Sequence, residues 1–257
     1  MEEGDGMSAL SHAPGLSLLQ ITLVVGDLDR VERELAEAYG LEVAFRDPSV
    51  ERWGLDNIVL PMGTTFIEVL RPRRPDTPGG RHRARLGGDG GYMVILQTGE
   101  IEPWRPRLAK LGVRIAFEAE TRDEKHGQHW SGLHLHPGDT GGMMISLDRP
   151  DPPDSWVGAG PRWREFIRQD VVTGLDGIVL ASPDPDGLAA RWGEVLDRVP
   201  RRDESGGLTL ELDRGTIGFV RGRDGAVEGL QGVRLCASDR SRAGERRRIG
   251  GVEFVLV

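Results

Sequence analysis

The sequence predicts an α+β fold in which tandem βαβββ modules build cupped mixed sheets with their helices outside. Three observations lead to it. An apolar, β-branched run, then a helical pattern, then further short strands recur in the same order four times along the 257 residues, the last time incompletely. A proline- and glycine-rich stretch without periodicity, from Arg149 to Trp163, separates the second copy from the third. A single such unit cannot bury the face of its own sheet, so the copies must pair.

The elements follow in order. Residues 1–16 are acidic and carry no apolar core, which predicts a disordered leader rather than a signal peptide. Leu18 to Val25 reads as a buried strand. In DLDRVERELAEAYG, Val31, Leu35, Ala38 and Tyr39 recur at helical spacing, with Asp27 or Asp29 as the N-cap and Gly40 as the stop. DNIVLPM and TTFIEVLRP are two strands joined by a Met-Gly turn, and Val43 to Glu51 offers a further, more polar strand. The second copy has the strand GGYMVILQTG, a short helix carrying Trp104, Leu108 and Leu111, and the strands SGLHLHP and GGMMISLD. The third has a helix stripe of Leu188, Trp192, Val195 and Leu196, followed by GGLTLELDRG and TIGFVRG. In the fourth, RSRAGERRR is too short and too charged for a packed helix. The expected organisation is a first domain over 17–150, a linker over 151–170 and a degenerate second domain over 171–257.

Composition narrows the function. The formal net charge is -8, which gives no reason to expect nucleic acid or an anionic membrane as partner. No stretch approaches ~20 apolar residues, the length of a membrane span. The one cysteine, Cys236, lies in a strand-like run and reads as a small buried hydrophobe. A cytoplasmic location is the expectation. GGDGGY precedes a strand and lacks the strand–loop–helix setting of a nucleotide fingerprint.

QITLVVGDLDRVERELAEAYGLEV, FIEVLRP, RRPDTPGG and LHPGDTGGMMISLD together resemble the vicinal oxygen chelate superfamily of glyoxalases, bleomycin-resistance proteins and extradiol dioxygenases. The likeness is to its glyoxalase-like and methylmalonyl-CoA epimerase-like branch. It covers residues 17–150, and 171–257 follow the module in outline. The resemblance implies a cup into which four positions converge, one on the first and one on the last strand of each module, usually His, Gln or Glu around a divalent ion. Carried onto this chain they fall on Gln20, Glu68, Tyr92 (Gly91 if the register slips by one) and Ser146. Two of the four are not the usual ligands, and a divalent ion wants three or more protein ligands. The expectation is therefore no cofactor and no metal. In the second domain the positions fall on Gly177, Gly218, Gly232 and Glu253, which leaves that domain a packing role.

The histidines keep an alternative open. In a strand His134 and His136 share a face, but Pro137 ends the ladder, which gives His136 to the turn. His134 either enters the cup as a neutral hydrogen-bonding group or base, packs outside, or completes a divalent-metal set with Gln20 and Glu68. His126 and His129 fall in TRDEKHGQHW, read as a solvated polar loop.

Alternation puts Phe66 and Leu70 with Glu68, Met144 with Ser146 and Thr22 with Gln20. The predicted cup is mostly apolar with a few polar handles, as an organic-ligand pocket requires. Arg71, Arg73 and Arg81 lie in a glycine-punctuated loop expected to act as a lid, and Trp53 with Arg46 and Arg52 closes the opposite rim, a place Trp130 also suits unless these tryptophans pack in the core. Three functions follow. The first is a protein binding a small organic molecule, an anion among the candidates, in the N-terminal cup without a metal; Gln20, Glu68, Tyr92, His134 and Ser146 would carry it. The second is a lyase, isomerase or dioxygenase with an altered metal site. The third is a structural or interaction protein with a filled cup. Paired modules in one chain make a dimer unnecessary for completing a cup, while a homodimer stays compatible.

Overall fold

The computed structural model describes residues 15–202, 206–223 and 225–257. Most of the expected leader lies outside the described residues, and Leu16 already belongs to the first strand. The first half runs β1 (Leu16–Val24), α1 (Leu28–Tyr39), β2 (Leu55–Met62), β3 (Thr65–Pro72), α2 (Pro78–Leu86), β4 (Gly90–Thr98), α3 (Trp104–Lys110), β5 (Ile115–Asp123), β6 (Gln128–Leu135), α4 (Pro137–Thr140) and β7 (Met144–Asp151). Its strands form one seven-stranded sheet in the order β2-β3-β1-β4-β7-β6-β5. β1 lies parallel to β3 and β4 parallel to β7, while β1 and β4 join the two modules antiparallel.

The second half repeats this plan with β8 (Val172–Ser182), α5 (Pro185–Leu196), β9 (Arg201–Arg202), β10 (Leu208–Glu211), β11 (Thr216–Arg221), β12 (Gly229–Ala237), β13 (Arg246–Ile249) and β14 (Val252–Leu256). Here β8 and β12 make the antiparallel join. The fourth copy has a short 3-10 turn, Arg240–Arg242, in place of a helix. Each sheet is thus a cup of tandem modules with helices outside.

Local chemistry sets the first helix. The Asp27 side chain accepts from the Arg30 amide at 2.9 Å, and Gly40 ends α1 at φ 69. Val31, Leu35 and Tyr39 are buried, and the Tyr39 ring lies 6.0 Å from that of Phe254 on β14. The convex sides of both sheets and their helices therefore share one apolar core, which runs from Leu23 and Leu35 to Trp192, Phe219 and Phe254. Close approach of the two halves depends on Gly251, at φ +83, where a Cβ would stand 1.9 Å from the Asp89 carbonyl oxygen.

The concave face of the first sheet has a second apolar cluster of Leu19, Val59, Phe66, Met93 and Ile95. Trp156, Ala159 and Trp163 complete it. They come from the proline-rich connection after β7, which enters the cup through two short 3-10 turns, Val157–Ala159 and Trp163–Phe166.

Three local expectations are corrected. Val43 to Glu51 forms no strand: only an isolated bridge links Phe45 to Val59, and Pro48–Trp53 is a 3-10 turn. Asp47 diverts the chain by accepting from the Ser49 amide at 2.8 Å, while Pro48 lacks a ladder donor. The arginine-rich lid loop is helix α2 over most of its length. Thr77 caps it by accepting from Gly80 N at 3.0 Å, Pro78 fills the first position and Gly87 ends it at φ 73. The loop around His126 and His129 is a hairpin between β5 and β6 that turns at Gly127, φ 63. Among the described residues no helix is long and apolar enough to cross a membrane.

Candidate functional site

The first cup keeps a cavity of ≈ 560 Å³. Its walls are aromatic and apolar, with Phe45, Trp53, Phe117, Trp130, Met144 and Trp156 prominent, and Glu68, His134 and Asp148 are among its polar groups.

Glu68 is placed by strand pairing. The parallel β1–β3 register sets Thr22 beside it, and β2 brings Val59 opposite, with Asn57 on the same face two residues away. Asn57 Nδ2 donates to Glu68 Oε1 at 2.7 Å, and Gln20 Nε2 and Thr22 Oγ1 each donate to Oε2 at 3.0 Å. Gln20 Oε1 in turn accepts from Trp156 Nε1 at 2.8 Å. Burial pushes the Glu68 carboxyl above its usual range; the Asn57 and Thr22 donors pull it back and the charge of Asp47 adds to the rise.

A second carboxyl lies on β7. Met144, Ser146 and Asp148 alternate onto the concave face, while Ile145 and Leu147 enter the shared core. Ser146 Oγ donates to Asp148 Oδ1, and Trp130 Nε1 donates to Oδ2 at 2.5 Å. The indole reaches it by lying over Gly132, where a Cβ would meet the Trp130 ring at 2.4 Å. Asp148 is 1% exposed, and its burial pushes the carboxyl up to about 7 against the pull of the Ser146 and Trp130 donors.

His134 pairs across strands with Ser146 and faces the cavity, its ring 5.1 Å from that of Phe117. Burial first, then the charge of Arg52, pushes its pKa down to about 4, so the imidazole is neutral near pH 7. It has no hydrogen-bond partner among the described residues. His136 belongs to the turn, where its Nδ1 accepts from Gly138 N at 3.1 Å. His129 and His126 pair with Glu120 and Asp123, each at 2.7 Å.

The β1–β4 register contains a bulge. Thr22 pairs with Met93 and Leu23 with Gly91, so Tyr92 is the extra residue. Sheet symmetry therefore sets Met93, not Tyr92, at the position matching Gln20, and both side chains line the cavity. Of the expected rim residues, Trp53, Arg52 and Trp130 line it. Arg46 instead pairs with Glu32 at 2.6 Å, Arg71 and Arg73 converge on Asp56, and Arg81 donates to the Asp76 carbonyl. The arginine at the mouth is Arg52, whose guanidinium lies 5.4 Å from the Trp53 ring centre and 5.5 Å from that of Phe117. Ser146 is fully buried behind Asp148.

Three residues of this hydrogen-bond network were not among the sequence candidates: Asn57, Asp148 and Trp156. Continued alternation from Met144 and Ser146 reaches Asp148, and from Val59 it reaches Asn57. Nothing in the aperiodic connection marks Trp156.

These residues do not fit the divalent ion that the resemblance implies. The Gln20 oxygen is taken by an indole N–H, both Glu68 oxygens accept from neutral donors, and the remaining two positions hold Met93 and Ser146. Among the described residues no cluster of three or more His, Cys, Asp or Glu is placed to hold a metal. In the second sheet Glu253 is engaged by Arg246.

Residues 21–196 match the model of a family described as a glyoxalase-like domain. The ethylmalonyl-CoA/methylmalonyl-CoA epimerase of Cereibacter sphaeroides is 24% identical over 51% of this chain and 96% of its own length. The cobalt-precorrin-5B C(1)-methyltransferase of Methanococcoides burtonii is 26% identical over 63% of this chain, which spans only 47% of that enzyme. Among solved structures, a hypothetical protein from Staphylococcus aureus superposes with a TM-score of 0.71 over 94% of this chain and 98% of its own, at 14% identity. That likeness extends the shared fold across both halves.

Proposed function

The chain belongs to the glyoxalase-like domain family, and from that premise we propose that it binds a small organic molecule with a flat, apolar body in the first cup, without a metal ion. One observation carries this: the connection packs Trp156 and Trp163 against the concave face, yet leaves ≈ 560 Å³ open between aromatic walls. That volume suits a small ligand, and a few polar groups among apolar walls are what such sites use for orientation. In this reading Trp53 and Tyr92 contact the ligand body, and Glu68, held by Gln20, His134 and Asp148, held by Ser146, meet its polar groups. A catalytic second reading is favoured by Asp148, whose carboxyl at about 7 is suited to proton transfer near neutrality. It requires turnover of whatever binds.

Thermal unfolding with a panel of aromatic acids, amides and amines tests the proposal. Ligand at 100 times its dissociation constant adds about 2.7 kcal/mol. That raises the melting temperature by roughly 5–10 °C for a chain of this size. Met144→Trp, which fills the cavity, should lose the response. A panel without a single stabilising member, or an equal response from Met144→Trp, refutes it.

A further inference from the structure

Many charged side chains among the described residues are paired. Asp56 holds Arg71 and Arg73, Asp89 holds Arg30 and Arg83, and Asp139 holds Arg114. Glu68 and Asp148 break that habit. Both line the cavity, Glu68 half-buried and Asp148 almost wholly enclosed, and among the described residues their partners are only neutral donors: Gln20, Thr22 and Asn57 for one, Ser146 and Trp130 for the other. Enclosing a carboxyl without a cation is costly unless something supplies the missing charge. His134 points the same way. Its ring is open to the cavity but otherwise enclosed, and as a neutral imidazole without a partner it offers a bare acceptor nitrogen. Trp53, Phe117, Trp130 and Trp156 also line the cavity, and two of these rings, Trp53 and Phe117, already lie against a cation, the Arg52 guanidinium.

We infer that the ligand is an organic cation, a protonated amine carried on a flat apolar body, whose ammonium is received by the carboxylate of Asp148. The inference rests on the cavity being a ligand site. Asp148 is favoured over Glu68 because its two oxygens take two donors where those of Glu68 take three, which leaves more of its lone pairs free.

The charged and titratable groups lining the cavity with Asp148 are Asp47, Arg52, Glu68, Tyr92, Asp123 and His134. Asp47 is committed to the amide and hydroxyl of Ser49, and Asp123 to His126. Burial keeps Tyr92 a neutral phenol, and His134 is neutral. Arg52 is exposed at the mouth, where solvent screens its charge. Glu68, its own carboxyl pushed up, works in the same direction as Asp148. Binding an amine selects the ionised carboxyl and expels its proton. With the free group at about 7, the competent fraction rises from roughly one-eleventh at pH 6 to ten-elevenths at pH 8, so the amine binds about tenfold tighter at pH 8.

The test is calorimetric titration of the whole chain with phenethylamine, phenylacetamide and phenylacetate, which share one ring and differ in charge. Phenethylamine should bind tightest at pH 8 and about tenfold more weakly at pH 6. Asp148→Asn should abolish both the preference and the pH dependence. Trp130→Phe removes one donor to the carboxylate and should move the midpoint to higher pH. Phenylacetate or phenylacetamide binding as tightly as the amine overturns the inference and leaves the ligand site standing. Failure of all three to bind, together with a silent thermal panel, overturns both.

Discussion

Replacing Asp148 by asparagine should stabilise the protein at alkaline pH and leave it unchanged in acid. The carboxyl stands at about 7 in the folded chain against an ordinary value of 3.8, because it is buried with only two neutral donors. A raised carboxyl pKa means that the folded state holds its proton where the unfolded chain has lost it. Below 3.8 both states are protonated and the group contributes no pH dependence. Between that value and about 7 the wild type loses stability by about 1.4 kcal/mol per unit. Above about 7 both states are ionised and the full penalty, on the order of 4 kcal/mol, persists. Asparagine mimics the neutral form: its amide oxygen can accept from Trp130 Nε1 and its NH2 can donate to Ser146 Oγ. Urea unfolding of both proteins at several pH values isolates this one group, since every other titration cancels in the difference. The variant should match the wild type near pH 4 and exceed it by several kcal/mol near pH 8. A difference that stays constant with pH, or an asparagine variant that is weaker at pH 8, would refute the argument.

Other perturbations read different parts of the molecule. Trp156→Phe keeps most of the packing but removes the donor to Gln20 Oε1, so a buried carbonyl goes unpaired at a cost of about 1–3 kcal/mol in urea unfolding; no measurable loss would mean that the connection does not lock Gln20. Gly251→Ala combines φ +83 with a Cβ 1.9 Å from the Asp89 carbonyl oxygen and should destabilise far more than Gly112→Ala. At Gly112, φ +66, nothing stands within 4 Å and only the left-handed strain of about 1–2 kcal/mol applies; equal effects would show that the two halves part easily there. Elemental analysis of protein purified without chelator should find no stoichiometric transition metal, and Glu68→Ala should not alter that result. Stoichiometric metal lost on that substitution would overturn the reading of the donor set.

The sequence made the architecture legible because the module recurs, and because α1 combines a regular stripe with an Asp27 cap and a Gly40 stop. Gln20 and Glu68 are singled out by the resemblance, and strand pairing sets them within hydrogen-bond reach of each other. What stayed hidden has physical causes. α2 has no apolar stripe to read: its start is fixed by Thr77, and Gly80 is needed because a Cβ there would stand 2.6 Å from the Arg74 and Pro75 carbonyl oxygens. β5 is the edge strand, where burial alternates only between half-buried and exposed over 115–120 before the polar run Thr121 to Asp123, so it carries no buried apolar stripe to read. The bulge at Tyr92 shifts the register by one residue, which period-2 reasoning cannot detect. Trp156 docks through tertiary contacts alone, and its segment has no period to betray it.

The two ends of the cavity are related through the sheet, and that relation accounts for the kind of chemistry it can host. Glu68 lies beside Thr22 on β1, and the matching place beside Ile95 on β4 is Ser146. The second carboxyl, Asp148, lies two residues further along the strand, and Ser146 is its donor. To serve an ion, Glu68 and Gln20 would have to release Asn57, Thr22 and Trp156, and each buried donor left unpaired costs about 1–3 kcal/mol. The hydrogen-bond network therefore opposes metal binding through its energy as well as its geometry. Neutral donors, unlike a metal, leave the two carboxyls with raised pKa values, Asp148 at about 7. Groups that can still take up or lose protons in the cavity would tie to pH the binding of any ligand that distinguishes their two protonation states.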